Sequence, residues 1–155
     1  MLYSILKECD LTTRSGLKVG KVVDLLVDTS VTPWTVKKIT FKTRLLGRKD
    51  SALPIDRVEV DKSERNLSVA GYVQPEPSPE RSEVDMRFLS DLTKKDAVSE
   101  DGENLGYIYD FDVATLTKPW TVEKVMIRTG TRKRRLKISV DRLKQTENSV
   151  TISTK

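Results

Sequence analysis

One tetrapeptide occurs twice in the chain, and this internal duplication constrains the fold more than any other feature. Pro-Trp-Thr-Val at residues 33–36 returns at residues 119–122, an offset of 86 positions. At that offset, residues 2–43 and 88–129 share 14 identities in 42 aligned positions without a gap, whereas chance would give about two or three. The sequence therefore predicts two units of the same fold, in which each element of the first unit recurs in the second.

Charge and proline content divide the chain into three parts. Residues 1–73, called repeat 1, carry 13 basic and 9 acidic side chains, and residues 87–155, called repeat 2, carry 14 and 10. Residues 74–86 carry one basic and four acidic side chains and three prolines at alternate positions, a pattern that favours extended polyproline II. We predict two domains of about 70 residues, near the lower size limit for an independent core, joined by an acidic Pro-rich linker that forms no strand.

Hydrophobic alternation predicts that both repeats are all-β. Apolar side chains alternate along one face of residues 19–28 and 105–114, and residues 36–43 and 122–129 show the same pattern. Shorter strands are predicted on either side, so each repeat has about six strands and no long helix. The segment that leads each repeat fits either a turn of helix or a short strand. Because closure hides the edges of a small sheet, we expect two tandem small β-barrels.

The first long strand of repeat 1 is apolar on both faces. Leu26 lies on the face opposite the alternating set. One face fills the barrel, and the other must be covered by the sister repeat, by a second chain or by a partner. Leu26 is therefore a candidate interface residue. We expect a homodimer, because two-fold dimers are the commonest closed assembly.

Aromatic side chains supply three further candidate interface residues. Trp34 and Trp120 begin the same strand in the two repeats. They either plug a barrel core or anchor an interface, where tryptophan is enriched. Tyr107 and Tyr109 alternate with Ile108, so one tyrosine should face outward, and Tyr107 is the candidate for a partner contact.

The basic run Arg132, Lys133, Arg134 and Arg135 is the sharpest electrostatic feature of the chain. Such a cluster neutralises phosphates of nucleic acid or lipid head groups. The interpretation that we favour is a solvated hairpin tip or a contact to an acidic protein. No aromatic-rich stacking surface accompanies it, which argues against single-strand binding. The run is a candidate anion or partner contact, with RNA, lipid and protein left open.

The composition offers little for catalysis or metal binding. Histidine, the commonest general base and metal ligand, is absent, and one cysteine, Cys9, cannot make a disulfide within the chain or a structural zinc site. Asp24 and Asp110, and likewise Asp28 and Asp112, are interpreted as turn caps or backbone partners. We expect no enzyme activity, no metal and no cofactor.

The chain also lacks the sequence signals of a membrane protein. No apolar run approaches the ~20 residues that span a bilayer, and the first residues lack the apolar core of a secretory signal. We therefore expect a cytoplasmic protein.

Two short motifs, present in both repeats, resemble the PRC-barrel family. The family pattern is a glycine turn and Gly-x-Val-x-Asp leading a hydrophobic strand, followed later by Ile-Pro-polar-Asp-x-Val. In repeat 1, residues 16–28 carry the first part and residues 53–58 carry the second, with Leu53 and Ile55 where the pattern has Ile and a polar residue. Repeat 2 carries both parts in the same order, with Ser139 where repeat 1 has Pro54. The resemblance covers nearly the whole chain except the linker, and it implies a small β-barrel for each repeat.

The resemblance implies a non-enzymatic adaptor. Stand-alone PRC-barrel proteins similar to this chain are frequent in archaea, and some act in FtsZ-based cell division. The implied partners are a SepF-like FtsZ anchor or another PRC-barrel protein, and the implied location is the division site at the membrane, reached from the cytoplasm. The alternative is an RNA- or ribosome-associated assembly factor that uses the basic run. It is motivated by the net charge of +5 and by a similar domain in a ribosome-maturation factor.

Overall fold

The computed structural model describes residues 1–43, 50–61, 66–71, 74–83, 85–129, 135–145 and 149–152. Repeat 1 contains one helical turn and six strands: α1 (Tyr3–Leu6), β1 (Asp10–Thr13), β2 (Lys18–Asp28), β3 (Trp34–Lys42), β4 (Ser51–Pro54), β5 (Val58–Val60) and β6 (Asn66–Val69). Two short strands follow: β7 (Glu76–Pro77) and β8 (Met86–Phe88). Repeat 2 has the order of repeat 1: α2 (Leu89–Leu92), β9 (Asp96–Ser99), β10 (Asn104–Ala114), β11 (Thr121–Arg128), β12 (Arg135–Ser139), β13 (Leu143–Gln145) and β14 (Ser149–Ile152).

The all-β prediction is confirmed, and each strand predicted from alternation is present within two residues of its expected bounds. The segment that leads each repeat, which the sequence left open, forms one helical turn, α1 or α2. A second short turn, of 3-10 type, precedes β5 and β13. The duplication of the sequence is therefore matched element by element in the structure.

The strands of both repeats form one mixed sheet that does not close. From the middle outward, repeat 1 runs β3-β2-β1-β6-β5 and repeat 2 runs β11-β10-β9-β14-β13. The two series meet where β3 and β11 pair antiparallel, and there Thr35 lies opposite its own equivalent, Thr121. Such self-pairing is typical of a local two-fold axis. Strand pairing among the described residues therefore does not show the expected pair of closed barrels.

One apolar core runs through both repeats. The ring of Phe111 in repeat 2 lies 5.7 Å from that of Tyr3 and 6.4 Å from that of Trp34, centroid to centroid, and both of these residues belong to repeat 1. A unit of about 70 residues buries a smaller share of its surface by itself than a larger domain does. Pooling the two cores increases the burial available to each repeat.

A repeated glycine permits the close approach of two strands in each half. A Cβ on Gly20 would lie 2.3 Å from the carbonyl oxygen of Lys42, and one on Gly106 would lie 2.2 Å from that of Arg128. Gly106 also has φ +134, a conformation that side chains rarely adopt. The glycine of the Gly-x-Val-x-Asp motif is therefore needed where β2 and β10 pass the ends of β3 and β11.

The linker corrects one prediction, since it was expected to form no strand. Glu76 and Pro77 pair antiparallel with Ala52 and Ser51 of β4. Extended polyproline and β conformations lie close together in backbone space, so a proline-rich segment joins a sheet edge at little cost. β4 supplies that edge, which no local pattern in the linker indicates.

Candidate functional site

The segments that lead the two repeats are exchanged between them. The backbone at Leu2 bridges to Asp112 of repeat 2, and the Met1 amino group donates to the carbonyl of Val113 at 2.8 Å. In the reciprocal contact, β8 pairs antiparallel with the end of β2, where Phe88 lies opposite Leu26. Leu2 and Phe88 are equivalent at the offset of 86, so each repeat completes the other at the same position.

Two buried aspartates hold the exchanged segments. Asp110 accepts hydrogen bonds from the backbone N–H of Ser4 at 3.0 Å and from its hydroxyl at 2.5 Å. Asp24 accepts from the backbone N–H of Ser90 at 3.3 Å and from the Ser90 hydroxyl. Each aspartate also accepts from the N–H of the following residue at 2.8 Å. Both carboxyl groups are buried, and these contacts meet the requirement for hydrogen-bond partners.

Tyr3 makes the two aspartate sites unequal. Its hydroxyl donates to Oδ1 of Asp24 at 2.6 Å, whereas repeat 2 has Leu89 at the equivalent position. Burial raises the pKa of the Asp24 carboxyl, and the hydrogen bonds from Ser90 and Tyr3 oppose that rise. Burial also raises the pKa of the Tyr3 hydroxyl, and the nearby Asp24 charge adds to the rise. The Asp24 site therefore favours a protonated tyrosine that donates into the carboxyl group.

The other predicted pair of aspartates has separate roles. Asp28 accepts from the N–H of Ser30 at 2.9 Å and from its hydroxyl at 2.5 Å, which confirms the predicted turn cap. These hydrogen bonds lower the pKa of Asp28. Asp112 lies 3.3 Å from Nζ of Lys137 and 3.5 Å from the amino terminus. Asp28 therefore caps a turn, and Asp112 forms ion pairs at the junction between the repeats. Asp24 and Asp110 instead bind the segment that leads the other repeat.

The candidate interface residues are mostly covered within the chain. Leu26, Trp34 and Trp120 are buried, and Tyr107 is half-buried. Leu26 lies opposite Phe88 of β8, and Trp34 lies at the β3–β11 junction beside Phe111. The sequence left the outer face of β2 to be covered by the sister repeat, a second chain or a partner, and in the structure the sister repeat covers it. The expected homodimer stays a prediction, and the apolar face that motivated it is occupied.

Most of the basic run lies outside the described residues. Arg132, Lys133 and Arg134 belong to that part of the chain. Arg135 is exposed at the start of β12, and its guanidinium lies 5.7 Å from the ring centroid of Tyr109. The structure therefore places only Arg135 of this candidate contact.

The outer faces of the two repeats differ in a way that the alignment alone does not show. In repeat 1, Ala52 and Leu26 are buried on the side covered by the linker and β8. The strand registers place Lys137 and Asp112 at the equivalent positions of repeat 2. Their side chains form an ion pair at 3.3 Å and stay partly exposed. Repeat 1 therefore has its outer face covered by the linker and β8, whereas the charged outer face of repeat 2 is contacted by residues 1–4 at Asp110 and Asp112 and stays partly exposed at Lys137.

A cavity of about 250 Å³ separates the linker from the outer face of repeat 1. Asp24, Thr40, Ser78, Arg81 and Asp91 are among the residues that line it. The Asp24 carboxyl already accepts four hydrogen bonds, so its oxygens are used in joining the repeats. The cavity is therefore explained by the packing of the linker and α2 on the sheet.

A second cavity, of about 370 Å³, lies beside repeat 2. Thr32, Lys124, Ser139 and Asp141 are among its lining residues. At the equivalent place on repeat 1, Lys118 replaces Thr32, and its ammonium group donates to the carbonyl of Asp56 at 2.9 Å. The short side chain of Thr32 cannot make this contact, and the space beside Lys124 remains open.

Sequence reasoning missed Ser4, Ser90 and Tyr3. The signal for the serines was present, because Ser4 and Ser90 are identical at the same offset as Asp24 and Asp110. A repeated polar pair of this kind indicates a repeated contact. That the contact crosses between repeats could not be inferred, since a pairing within each repeat satisfies the same pattern.

No group of three or more His, Cys, Asp or Glu side chains suited to a metal ion occurs in the described part of the chain. Within that same part, no helix is long and apolar enough to cross a membrane.

No protein-family model matches the chain, and no curated protein is significantly similar to it.

Proposed function

We propose that this protein is a non-enzymatic adaptor that binds other proteins. Two PRC-like, barrel-related repeats form the module, which acts in archaeal FtsZ-based cell division with a SepF-like FtsZ anchor or another PRC-barrel protein. It works in the cytoplasm and is recruited to the division site at the membrane. The family motifs at residues 16–28 and 53–58, repeated in the second half, are the support for this assignment.

The observation that best supports the adaptor function is that one sheet contains two repeats whose outer faces differ in charge and in cover. The repeats are connected through β3 and β11 and through the exchanged segments. The outer face of repeat 1 is covered by the linker and β8, whereas that of repeat 2 is charged and partly exposed at Lys124 and Lys137. A module with this asymmetry presents one surface to a partner while the opposite surface is held by its own chain.

Affinity capture from a native lysate of the source organism tests this proposal. The intact, tagged protein should retain a SepF-like anchor or a PRC-barrel protein, in amounts near one per module, after treatment with nuclease. In a parallel capture without nuclease, recovery of ribosomal proteins and rRNA without division proteins would instead establish the alternative, an RNA- or ribosome-associated factor. Nuclease treatment is the control, because contacts mediated by RNA phosphates disappear with it.

A further inference from the structure

We propose that the free edge of β12 binds an extended acidic segment of a partner protein, in the way that the linker binds the edge of β4. The inference rests on the proposed adaptor function and names the chemistry of the partner. Addition of a strand to an exposed sheet edge is a recurrent mode of peptide recognition, in which main-chain hydrogen bonds give affinity and side-chain contacts give specificity.

Repeat 1 provides an occupied example of this site. Ala52 lies opposite Glu76 in the antiparallel pair of β4 and β7. The N–H of Ser78 donates to the carbonyl of Asp50 at 2.9 Å, and Nζ of Lys38 lies 2.7 Å from Oε2 of Glu76. In an antiparallel ladder alternate residues exchange hydrogen bonds, so Pro77 occupies a position where no N–H is required.

Repeat 2 repeats the edge without the occupant. Lys137 lies opposite Met126 in β11, as Ala52 lies opposite Thr40 in β3. Among the described residues, β12 pairs only with β11. Its outward N–H and carbonyl groups, those of Arg135 and Lys137 by this equivalence, correspond to the groups that bind β7 in repeat 1. The edge therefore has the backbone geometry for one more antiparallel strand.

The charges beside this edge select an acidic strand. Lys124 is the equivalent of Lys38, is exposed, and forms no ion pair with any described residue. Lys137 is half-exposed and borders the same position, with Asp112 as its present partner. Basic residues on an edge disfavour pairing with neutral or basic strands. A carboxylate opposite Lys137 would lie between the ammonium groups of Lys124 and Lys137. By comparison, Glu76 in repeat 1 has the single ammonium partner of Lys38.

The cavity of about 370 Å³ extends the site in the direction of the peptide amino terminus. By the register of β4 and β7, the residue two positions before the acid lies opposite Ser139, the equivalent of Pro54. Ser139 and Lys124 line this cavity. The site therefore suits a segment with a side chain to fill the cavity, one intervening residue, an acid, and then a residue for which proline is acceptable.

Binding of a labelled peptide to the full chain tests the proposal. The probe is a blocked, fluorescent peptide with the sequence of residues 74–83, which contains the required acid and prolines. Fluorescence anisotropy should show saturable binding in the micromolar range. Lys124→Glu should weaken binding about ten-fold or more, because like charges across an interface are strongly unfavourable. The matched change Lys38→Glu should leave the affinity within about two-fold.

Three results overturn the proposal. The first is no binding to the wild-type chain. The second is the reverse pattern, in which Lys38→Glu weakens binding and Lys124→Glu does not, since the peptide would then replace the linker on β4. The third is full affinity of a peptide N-methylated at the residue corresponding to Glu76, because that peptide cannot donate the main-chain hydrogen bond. Circular dichroism of each variant verifies that the β structure is retained.

This experiment separates failure of the inference from failure of the proposed function. If the wild-type chain captures a division protein and does not bind the peptide, the adaptor function stands and the β12 site is wrong. If the peptide binds β12 by the criteria above and no division protein is captured, the site stands and the cellular role is wrong. If Lys124→Glu also abolishes capture of the division protein, both are supported by one substitution.

Discussion

At the scale of single residues, the most consequential group is the Asp24 carboxyl. It joins Tyr3, at the amino terminus, to Ser90, at the start of repeat 2. Because the carboxyl is buried, its charged form is less stable than the charged form of a carboxyl in water. Hydrogen bonds from three directions reduce the cost without removing it, and the net pKa shift is upward.

The upward pKa shift of Asp24 predicts the sign of a pH effect. A carboxyl whose pKa is higher in the folded state binds more protons when folded, so its contribution to stability falls as pH rises from 3.8 through the folded-state pKa. Asp24→Asn removes this titration. The free energy of unfolding of the variant, relative to wild type, should therefore increase over that window in urea titrations at stepped pH.

Asp28→Asn is the matched control, because the pKa of Asp28 is lowered in the fold. Asp28 contributes stability above its ordinary pKa and loses it as pH falls through the folded-state pKa. The relative stability of Asp28→Asn should therefore decrease as pH rises, opposite to Asp24→Asn. Equal slopes for the two variants would contradict the assignment of the buried carboxyl.

At the scale of elements, β2 shows how one strand is buried on both faces. Its inner face, with Leu25 and Val27, belongs to the common core. On its outer face Leu26 is 4 % exposed and lies opposite Phe88. β8 leads directly into α2, whose Ser90 donates to Asp24, so the apolar cover and the polar contact lie side by side.

Leu26→Glu tests this cover. A charge introduced at a buried site without a partner is strongly destabilising, so we expect a loss of about 3 kcal/mol or more in the free energy of unfolding. Leu116→Glu is the matched control, because Leu116 is 99 % exposed and its replacement should change stability by less than about 0.5 kcal/mol. Similar urea midpoints for the two variants would show that Leu26 is not covered as described.

At the scale of the whole molecule, the two repeats are intertwined through reciprocal contacts. Ser4 reaches Asp110 and Ser90 reaches Asp24, so both ends of the junction are tied by equivalent contacts. The β3–β11 pairing and the shared core add to them. Cutting the linker should therefore leave these contacts intact, since none of them depends on chain continuity.

A cleavable linker tests the intertwined arrangement. A site for a specific protease, inserted between Glu80 and Arg81, lies in an exposed part of the linker. After cleavage the two fragments should still elute together from a sizing column at micromolar concentration, near the 17.6 kDa of the intact chain. Ser4→Ala with Ser90→Ala should weaken their association. Separation of the wild-type fragments would contradict the exchange of segments.

Local features of this protein can be predicted from its amino-acid sequence. The offset of 86 predicts two sets of matching elements, and alternation in residues 19–28 and 105–114 locates the long strands, because side chains point to opposite faces with period two. These features depend on the local backbone geometry of each segment.

The way in which the two repeats combine depends on long-range contacts that the sequence pattern leaves open. A pattern that requires Asp24 to bind a serine is satisfied equally by Ser4 or by its equivalent, Ser90, and the identity of the two sequences hides the difference. The choice depends on a contact 66 positions apart, on the pooled core and on the β4 edge that receives Glu76. Each of these contacts joins segments that are far apart in the chain, and it stabilises the fold only when both surfaces are formed. Periodicity and composition therefore do not predict it.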